Sequence, residues 1–171
     1  MPGNPNPSQT PRSTSIAGVL IQKLDWYSDQ RGSLSVLLRS DQTELNGEQF
    51  GQAYLTTVRP GVIKAWHRHQ RQTDRMVGIN GQTLLVLVDG RADSPSYGTV
   101  LETVLGERHH SLVRIPAGVW HGLKCLGERE SMVLNLPDLA YDLDQPDEQR
   151  APAHQAPEQG LPSYDWSRRD G

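Results

Sequence analysis

The sequence predicts an all-β fold, an antiparallel sandwich or barrel, and three observations lead to this prediction. The 171 residues include 16 glycines and 12 prolines, a composition that favours a turn-rich fold over a helical bundle. No long stretch shows the periodicity of an amphipathic helix. Short apolar and β-branched runs recur roughly every 8–12 residues with glycine or proline between them, which is typical of antiparallel sandwiches and barrels.

Five runs in the middle of the chain are predicted to be strands. Each is rich in residues that favour strands and is bounded by a turn signal, such as Asn80-Gly81 or Asp89-Gly90. The predicted strands are Ala53–Val58, Thr83–Val88, Thr99–Leu105, Ser111–Ile115 and Ser131–Leu136.

The two ends of the chain differ in composition from its middle. Residues 1–13 contain almost no apolar side chains, so we expect a disordered tail there. Residues 14–143 are predicted to form the single β domain, and residues 144–171 an extended, Pro-rich C-terminal segment that docks on it. Three side chains would anchor this segment: Leu161, Tyr164 and Trp166.

Charge and composition exclude several classes of protein. The net charge of −3 argues against a general nucleic-acid-binding protein, which is usually strongly basic. A single cysteine, Cys125, excludes an intramolecular disulfide scaffold. The polar N-terminus lacks the pattern of a signal peptide, and no apolar stretch approaches the ~20 residues of a membrane helix. We therefore expect a cytoplasmic protein that has neither a membrane nor a nucleic acid as its partner.

The central segment 59–75 is basic although the chain as a whole is acidic. Asp74 is the only acidic residue among five basic ones, which are Arg59, Lys64, Arg68, Arg71 and Arg75. This local excess of positive charge indicates an anionic small ligand. Three of the arginines, those at 68, 71 and 75, would also crowd a bound metal cation with like charge.

Three histidines fall in two short motifs whose side chains are expected to converge. His67 and His69 are two residues apart, and on a strand such positions point to the same face. His121 follows the turn Pro116-Ala117-Gly118. Together with Asp74, the imidazoles are suitable ligands for Fe, Mn, Ni or Zn. Alternatively one imidazole is a general base, because imidazole titrates near neutrality. The residues alone leave both chemistries open.

The joint spacing of the two motifs resembles the paired motifs of the cupin superfamily, which implies a cupin-type jelly roll. The first motif reads Gly-x5-His-x-His-x4-Asp-x6-Gly from Gly61 to Gly81. The second reads Pro-x-Gly-x-x-His from Pro116 to His121. An aspartate, Asp74, stands where cupins commonly have glutamate.

A longer series of landmarks resembles the dTDP-4-dehydrorhamnose 3,5-epimerase family, a branch of the cupins that acts on nucleotide-linked sugars without a metal. The similarity covers about residues 16–142, most of the chain. In chain order the landmarks are Asp29-Gln30-Arg31-Gly32, Gln52, Lys64-Ala65-Trp66-His67, Val88-Asp89-Gly90-Arg91, Ser94-Pro95-Ser96-Tyr97-Gly98, Ile115-Pro116-Ala117-Gly118, His121-Gly122 and Tyr141-Asp142.

This resemblance implies an isomerase that epimerises a nucleotide-linked 4-keto-6-deoxy sugar, with dTDP as the expected nucleotide, in deoxysugar or polysaccharide biosynthesis. In that reaction a histidine removes a proton beside the ketone, a cation stabilises the enolate, and an acid returns a proton to the opposite face. The predicted catalytic residues are His67 as base, Arg75 as cation and His121 in the pocket wall. The predicted substrate-binding residues are Arg31, Gln52, Lys64, His69, Arg91 and Tyr141. The resemblance also implies a homodimer and no cofactor.

Three positions depart from the family's pattern. Asn135 stands where the family has its proton-returning tyrosine, and an amide has no proton to give near neutral pH. His154 and Asp165 are the nearest matches to the aspartate that orients the base. Val36 replaces an acidic residue that follows Arg-Gly in the family.

These departures leave several functions open. With Tyr54 or Tyr141 as the acid, the protein is a single-site epimerase or an isomerase. A non-catalytic sugar-nucleotide-binding protein also fits the pattern. The remaining alternative is a metal-dependent cupin enzyme, whose ligands would be His67, His69, Asp74 and His121.

Overall fold

In the computed structural model, which describes residues 10–47 and 49–167, short strands follow one another along the chain. In this part of the chain the strands are β1 (Arg12–Ser13), β2 (Leu20–Lys23), β3 (Tyr27–Asp29), β4 (Gly32–Leu34), β5 (Tyr54–Val58), β6 (Ile63–Arg68), β7 (Asp74–Asn80), β8 (Gln82–Asp89), β9 (Val100–Gly106), β10 (Ser111–Ile115), β11 (Val119–Cys125), β12 (Ser131–Asn135) and β13 (Gln149–Arg150). A single helical turn, α1 (Thr43–Asn46), joins β4 to β5.

The strands form two antiparallel sheets that enclose the core between them. The order is β1-β2-β10-β7-β12-β5 in the six-stranded sheet and β13-β6-β11-β8-β9 in the five-stranded sheet. The hairpin β3-β4 is a separate two-stranded sheet. The predicted antiparallel all-β fold is therefore confirmed. The strand Ser111–Ile115 has its predicted bounds, and the other four predicted strands differ from the observed ones by no more than one residue at either end.

The N-terminal prediction is tested only in part. Residues 1–9, most of the expected disordered tail 1–13, lie outside the described residues. Arg12 and Ser13 pair with Ile21 and Leu20 of β2, so the end of that segment belongs to the six-stranded sheet. No helix in the described part of the chain is long and apolar enough to cross a membrane.

Alternation along each strand fills the core. On β8, Leu85 and Leu87 point into the space between the sheets, whereas Val86 and Val88 point to the outer face. Cys125 on β11 is buried in the same inner cluster. Each fully buried leucine or valine side chain stabilises the fold by about 1.5–3 kcal/mol relative to an exposed one.

The C-terminal segment covers the outer face of the five-stranded sheet, which confirms the predicted docking. Its short strand β13 pairs with β6. Trp166 lies directly on Gly122 of β11, where a Cβ atom would approach the indole to 2.8 Å. The buried cluster between segment and sheet consists of Trp66, Val86, Val88, Trp120, Leu161 and Trp166.

At one end of the sandwich the inward-facing residues are polar instead of apolar. His121 on β11 lies opposite His67 on β6. In the other sheet, Asn135 on β12 lies between Tyr54 on β5 and Met76 on β7. The pairing of strands from both halves of the chain therefore collects these side chains around one opening.

Candidate active site

A cavity of about 840 Å³ opens at the polar end of the sandwich. Its size suits a small organic ligand, since such cavities commonly measure about 300–1,000 Å³. Strands from both sheets and the segment before β13 contribute its wall. The lining residues are Gln52, Tyr54, Thr56, Ile63, Lys64, Ala65, Trp66, His67, His69, Gln72, Met76, His121, Leu123, Tyr141, Glu148, Arg150 and Ala151.

His67 is paired with a carboxylate on the wall of this cavity. Its Nδ1 atom lies 2.6 Å from Oε1 of Glu148, and the other carboxylate oxygen accepts a hydrogen bond from Arg150 at 2.7 Å. Burial would raise the pKa of Glu148, but the hydrogen bonds from Arg150 and His67 lower it below its ordinary value of 4.5. The ionised carboxylate can only accept hydrogen bonds, so Nδ1 of His67 donates. Its Nε2 then carries the lone pair that a general base needs.

A second group of polar side chains lies deeper, where His69 and His121 converge on Asp74. Their Nε2 atoms lie 3.5 Å and 3.6 Å from Oδ2 of Asp74. The ligand atoms of the three residues all lie within 4.8 Å of one another. Burial lowers the pKa of His121 to about 4 despite the nearby charge of Asp74, which keeps this imidazole neutral. Among the described residues, these three are the group that could hold a metal ion.

Asn135 connects this deeper group to a tyrosine. Its side-chain amide donates to Oη of Tyr54 and to Oδ1 of Asp74, each at 2.8 Å, and its carbonyl oxygen accepts from the backbone N–H of Arg75. Burial and the charge of Asp74 raise the pKa of Tyr54, so its hydroxyl is protonated at neutral pH. The phenol of Tyr54 on the neighbouring strand β5 therefore lies beside Asn135, the position at which the resemblance predicts an acid.

Six of the nine residues predicted for the site line the cavity. They are Gln52, Lys64, His67, His69, His121 and Tyr141. The ammonium group of Lys64 donates to the hydroxyl of Thr56 at 3.1 Å, at the outer rim of the cavity.

Arg75 does not reach the cavity, and its predicted role as the cation does not agree with the structure. Successive side chains on β7 point to opposite faces, so Asp74 points inward and Arg75 outward. The guanidinium is buried against backbone carbonyls, donating to Leu45 at 2.7 Å, to Leu136 at 2.9 Å and also to Asn46. Its charge stabilises the loop around α1.

Arg91 is likewise placed away from the cavity, in the turn that follows β8. It donates twice to Asp89, at 2.8 Å each, and also to the carbonyl oxygen of Ala17. Ser94 and Ser96 donate to the same carboxylate, which is fully buried. The Asp-Gly-Arg and Ser-Pro-Ser landmarks therefore build a turn in this chain.

Arg31 lies at the turn of the hairpin β3-β4 and forms an ion pair with Asp29. Its side chain is 76% exposed and is not among the residues that line the cavity. Within one chain, Arg31 therefore lies outside the cavity.

The residue that sequence reasoning missed is Glu148. His154 and Asp165 were the candidates for orienting the base, but neither lines the cavity. Glu148 reaches His67 because β13 pairs with β6 in the register that places Arg150 opposite His67. No local pattern marks Glu148, since its partner is 81 positions away in the chain.

Comparison with known proteins finds similarity over all the residues that line the cavity. The family model described as dTDP-4-dehydrorhamnose 3,5-epimerase matches residues 13–170. The chain is 38% identical over 141 residues to the "Probable low-salt glycan biosynthesis epimerase Agl13" of Haloferax volcanii, which covers 81% of this chain and 88% of that protein. It is 41% identical over 137 residues to the spore coat polysaccharide biosynthesis protein SpsL of Bacillus subtilis, which covers 80% and 89%.

Among solved structures, the dTDP sugar isomerase of Desulfovibrio desulfuricans G20 superimposes with a TM-score of 0.79. The two chains are 29% identical, and the superposition covers 91% of this chain and 95% of that one. Similarity in sequence and in structure thus extends over both sheets and over the cavity between them.

Proposed function

Because the chain belongs to the dTDP-4-dehydrorhamnose 3,5-epimerase family, we propose that it epimerises a dTDP-linked 4-keto-6-deoxy sugar bound in the cavity. The observation that carries this proposal is the short hydrogen bond between His67 and Glu148 on the cavity wall. It gives the imidazole one tautomer and directs a basic nitrogen away from the carboxylate, as proton abstraction requires.

The reaction begins with removal of a proton from a carbon next to the C4 ketone. Nε2 of His67 takes this proton, and the electron pair of the broken C–H bond moves to the keto oxygen to form an enolate. The imidazole becomes an imidazolium at this step. The ionised carboxylate of Glu148 stabilises that charge at a distance of 2.6 Å.

Tyr54 is the residue we assign to the return of the proton. Its raised pKa keeps the hydroxyl protonated until the enolate carbon accepts that proton. The amide of Asn135 already donates to the tyrosine oxygen, and this hydrogen bond stabilises the phenolate that remains. Loss of a proton to His67 and gain of one from a different residue inverts the carbon when the two residues act on opposite faces.

Binding of the nucleotide and its diphosphate is assigned to the rim of the cavity and to a partner subunit. Lys64 supplies positive charge to the cavity wall, which Gln52 and Tyr141 also line.

We propose a homodimer in which the hairpin β3-β4 of one chain carries Arg31 to the cavity of the other. Exposed apolar residues at the hairpin and on the edge strand β5 support this arrangement: Trp26, which precedes β3, Leu34 on β4 and Leu55 on β5 are each more than half exposed. Light scattering on the purified protein measures the mass directly, and a monomer would contradict this arrangement. The cytoplasmic location stays a prediction.

The test is proton exchange followed by NMR in D₂O, with dTDP-4-keto-6-deoxyglucose as the substrate. We expect the wild-type protein to incorporate deuterium beside the ketone and the His67→Ala variant to do so about 10²–10⁴-fold more slowly. His109→Ala is the matched control, because His109 is exposed and lies outside the cavity. Unchanged exchange in His67→Ala would remove His67 as the base. Binding of the nucleotide sugar without any exchange by the wild type would favour a non-catalytic binding protein.

A further inference from the structure

We propose that Asp147 is a positioning residue for proton transfer, because it joins the loop that follows His67 and His69 to the segment that carries Glu148. Asp147 is not among the residues that line the cavity, so it acts on the reaction through Glu148 and not by touching the substrate. The inference deepens the epimerisation proposed above and rests on it.

Glu148 needs an anchor outside the strand that follows it. It directly precedes β13, a strand of only two residues. In an antiparallel pair only every second residue forms a hydrogen-bonded pair, so a strand of this length contributes few hydrogen bonds. On the C-terminal side of Glu148, Ala151 exchanges two backbone hydrogen bonds with Trp66, at 2.8 Å and 3.1 Å. On the N-terminal side, the anchor is Asp147.

The carboxylate of Asp147 binds three consecutive backbone N–H groups. Its Oδ1 accepts from Gln70 at 3.1 Å, and its Oδ2 accepts from Arg71 and Gln72 at 2.9 Å each. These three residues follow His69 directly and lie between β6 and β7. A hydrogen bond to a charged group contributes about 1.5–3 kcal/mol, so the carboxylate holds the loop and the segment together.

The backbone of Asp147 contacts the second histidine of the motif. Its carbonyl oxygen accepts a hydrogen bond from Nδ1 of His69. Because a carbonyl oxygen cannot donate, this contact keeps a proton on Nδ1 and leaves the lone pair of the neutral ring on Nε2. Asp147 therefore orients the imidazole of His69 directly, and that of His67 through Glu148, its neighbour in the chain.

A small displacement of Glu148 is enough to slow the reaction. Consecutive Cα atoms are held about 3.8 Å apart by the peptide bond, so a movement of Asp147 also moves Glu148. The contact that must be preserved is short, with 2.6 Å between Oε1 of Glu148 and Nδ1 of His67. A misplacement of about 1 Å at a catalytic group can lower a rate about 10²-fold.

The ion pair between Asp147 and Arg71 does not explain the anchoring. Nε of Arg71 lies 3.9 Å from Oδ1 of Asp147, and the arginine side chain is 68% exposed. An exposed ion pair of this kind contributes only about 0–1 kcal/mol. The three backbone N–H groups therefore provide the anchoring, and Arg71→Gln should leave the rate of exchange unchanged.

The first test is the rate of deuterium exchange beside the ketone in Asp147→Asn at saturating substrate. The variant keeps the shape of the side chain, but an NH₂ group replaces one of the two oxygens that accept from the loop. We expect kcat to fall about 10–100-fold with little change in KM, because a positioning residue does not bind the substrate.

Asp142→Asn is the matched control, since it makes the same change in the same segment. Oδ1 of Asp142 accepts from the backbone N–H groups of Asp144 and Gln145, at 2.9 Å and 3.1 Å. We expect this variant to retain the wild-type rate. The same loss of rate in Asp142→Asn and Asp147→Asn would indicate a merely structural role and overturn the proposal.

A double-mutant cycle shows whether Asp147 acts through Glu148. Residues that act as a unit have non-additive effects on a rate. Once Glu148→Ala has removed the carboxylate, Asp147→Asn should slow the exchange little further. Losses that multiply in the double variant would show that the two residues act independently, which contradicts the proposed role.

Imidazole ¹⁵N NMR tests the positioning without relying on activity, in mildly alkaline solution where an ordinary imidazole is neutral. In the wild type we expect His67, His69 and His121 each to carry the proton on Nδ1, as their hydrogen bonds require. In Asp147→Asn, His67 and His69 should become mixtures of two tautomers. His121, whose Nδ1 faces the carbonyl oxygen of Val119, should not change. Identical spectra of wild type and variant would overturn the proposal.

The role of Asp147 and the epimerisation fail in different ways. A wild type that never exchanges deuterium refutes the epimerisation, and the ¹⁵N spectra then decide the role of Asp147. A wild type that exchanges, with the same rate and the same tautomers in Asp147→Asn, refutes only the role of Asp147. Rates are compared below the lowest melting temperature of the variants, so that unfolding does not imitate a loss of rate.

Discussion

Replacing Glu148 with glutamine removes the charge beside His67 while preserving the size of the side chain. The amide oxygen of the variant can still accept the hydrogen bond from Nδ1 of His67, so the tautomer and the position of the ring are preserved. What is lost is the interaction between a carboxylate and the imidazolium that forms when His67 takes the proton. We therefore expect kcat to fall and KM to change little, because the lost interaction is made mainly in the transition state.

The magnitude follows from the geometry. A hydrogen bond to a charged group contributes about 1.5–3 kcal/mol, and the observed separation of 2.6 Å is short enough for one of this kind. Since each 1.36 kcal/mol changes a rate tenfold, the expected loss is about 10–160-fold. This is smaller than the effect of deleting the base itself, about 10²–10⁴-fold.

The assay is the initial rate of deuterium exchange at saturating substrate, with Glu158→Gln as the control. Oε2 of Glu158 lies 2.6 Å from Nη1 of Arg68, so this ion pair is equally short but lies on the outer face of the sheet. We expect the control to retain the wild-type rate. A wild-type rate in Glu148→Gln, or the same loss in both variants, would refute the reasoning from the His67 contact.

Three further outcomes follow from the structure. Tyr54→Phe should retain deuterium exchange while net inversion of the sugar, followed by NMR, falls about 10²–10⁴-fold, because the phenol is the assigned proton donor. Asp89→Asn should lower the melting temperature most at neutral pH. Burial would raise the pKa of this carboxyl, but the hydrogen bonds from Arg91, Ser94 and Ser96 lower it well below the ordinary 3.8, so the stabilisation is present above pH 3.8 and is lost as the pH falls further. A melting-temperature difference between wild type and variant that stays constant down to pH 2 would contradict this. Gly122→Ala should destabilise the protein by about 1–3 kcal/mol in urea unfolding, because the added Cβ meets the Cβ of Ala65 at 2.5 Å and the docked indole of Trp166 at 2.8 Å. Gly127→Ala, with no heavy atom closer than 3.9 Å to the added Cβ, is its control.

Local patterns in the sequence were sufficient to predict five of the thirteen strands in the described part of the chain, together with the two histidine motifs. The strand Ser111–Ile115 ends at Pro116, and the other predicted strands also end at glycine, proline or asparagine turns, which act over only a few residues. His67 and His121 were identified by motifs of this short-range kind, and both line the cavity.

The assignment of charges to the site could not be predicted in the same way. Asp74 and Arg75 are neighbours, and the family resemblance led us to expect the arginine in the cavity as the cation. A shift of one residue in strand register exchanges the faces of a strand, so the choice between the two depends on how β7 pairs with β10 and β12. That pairing places the carboxylate inside and buries the guanidinium against the loop around α1.

By itself, then, the sequence determined the all-β class, the positions of five strands and the presence of a histidine-based site, since alternation and turn residues are encoded locally. Only the tertiary structure decided which groups surround His67. Glu148 is 81 positions away from it, and Tyr54 is 81 positions away from Asn135. These contacts exist because distant strands pair in one register, a choice made by the packing of the whole core.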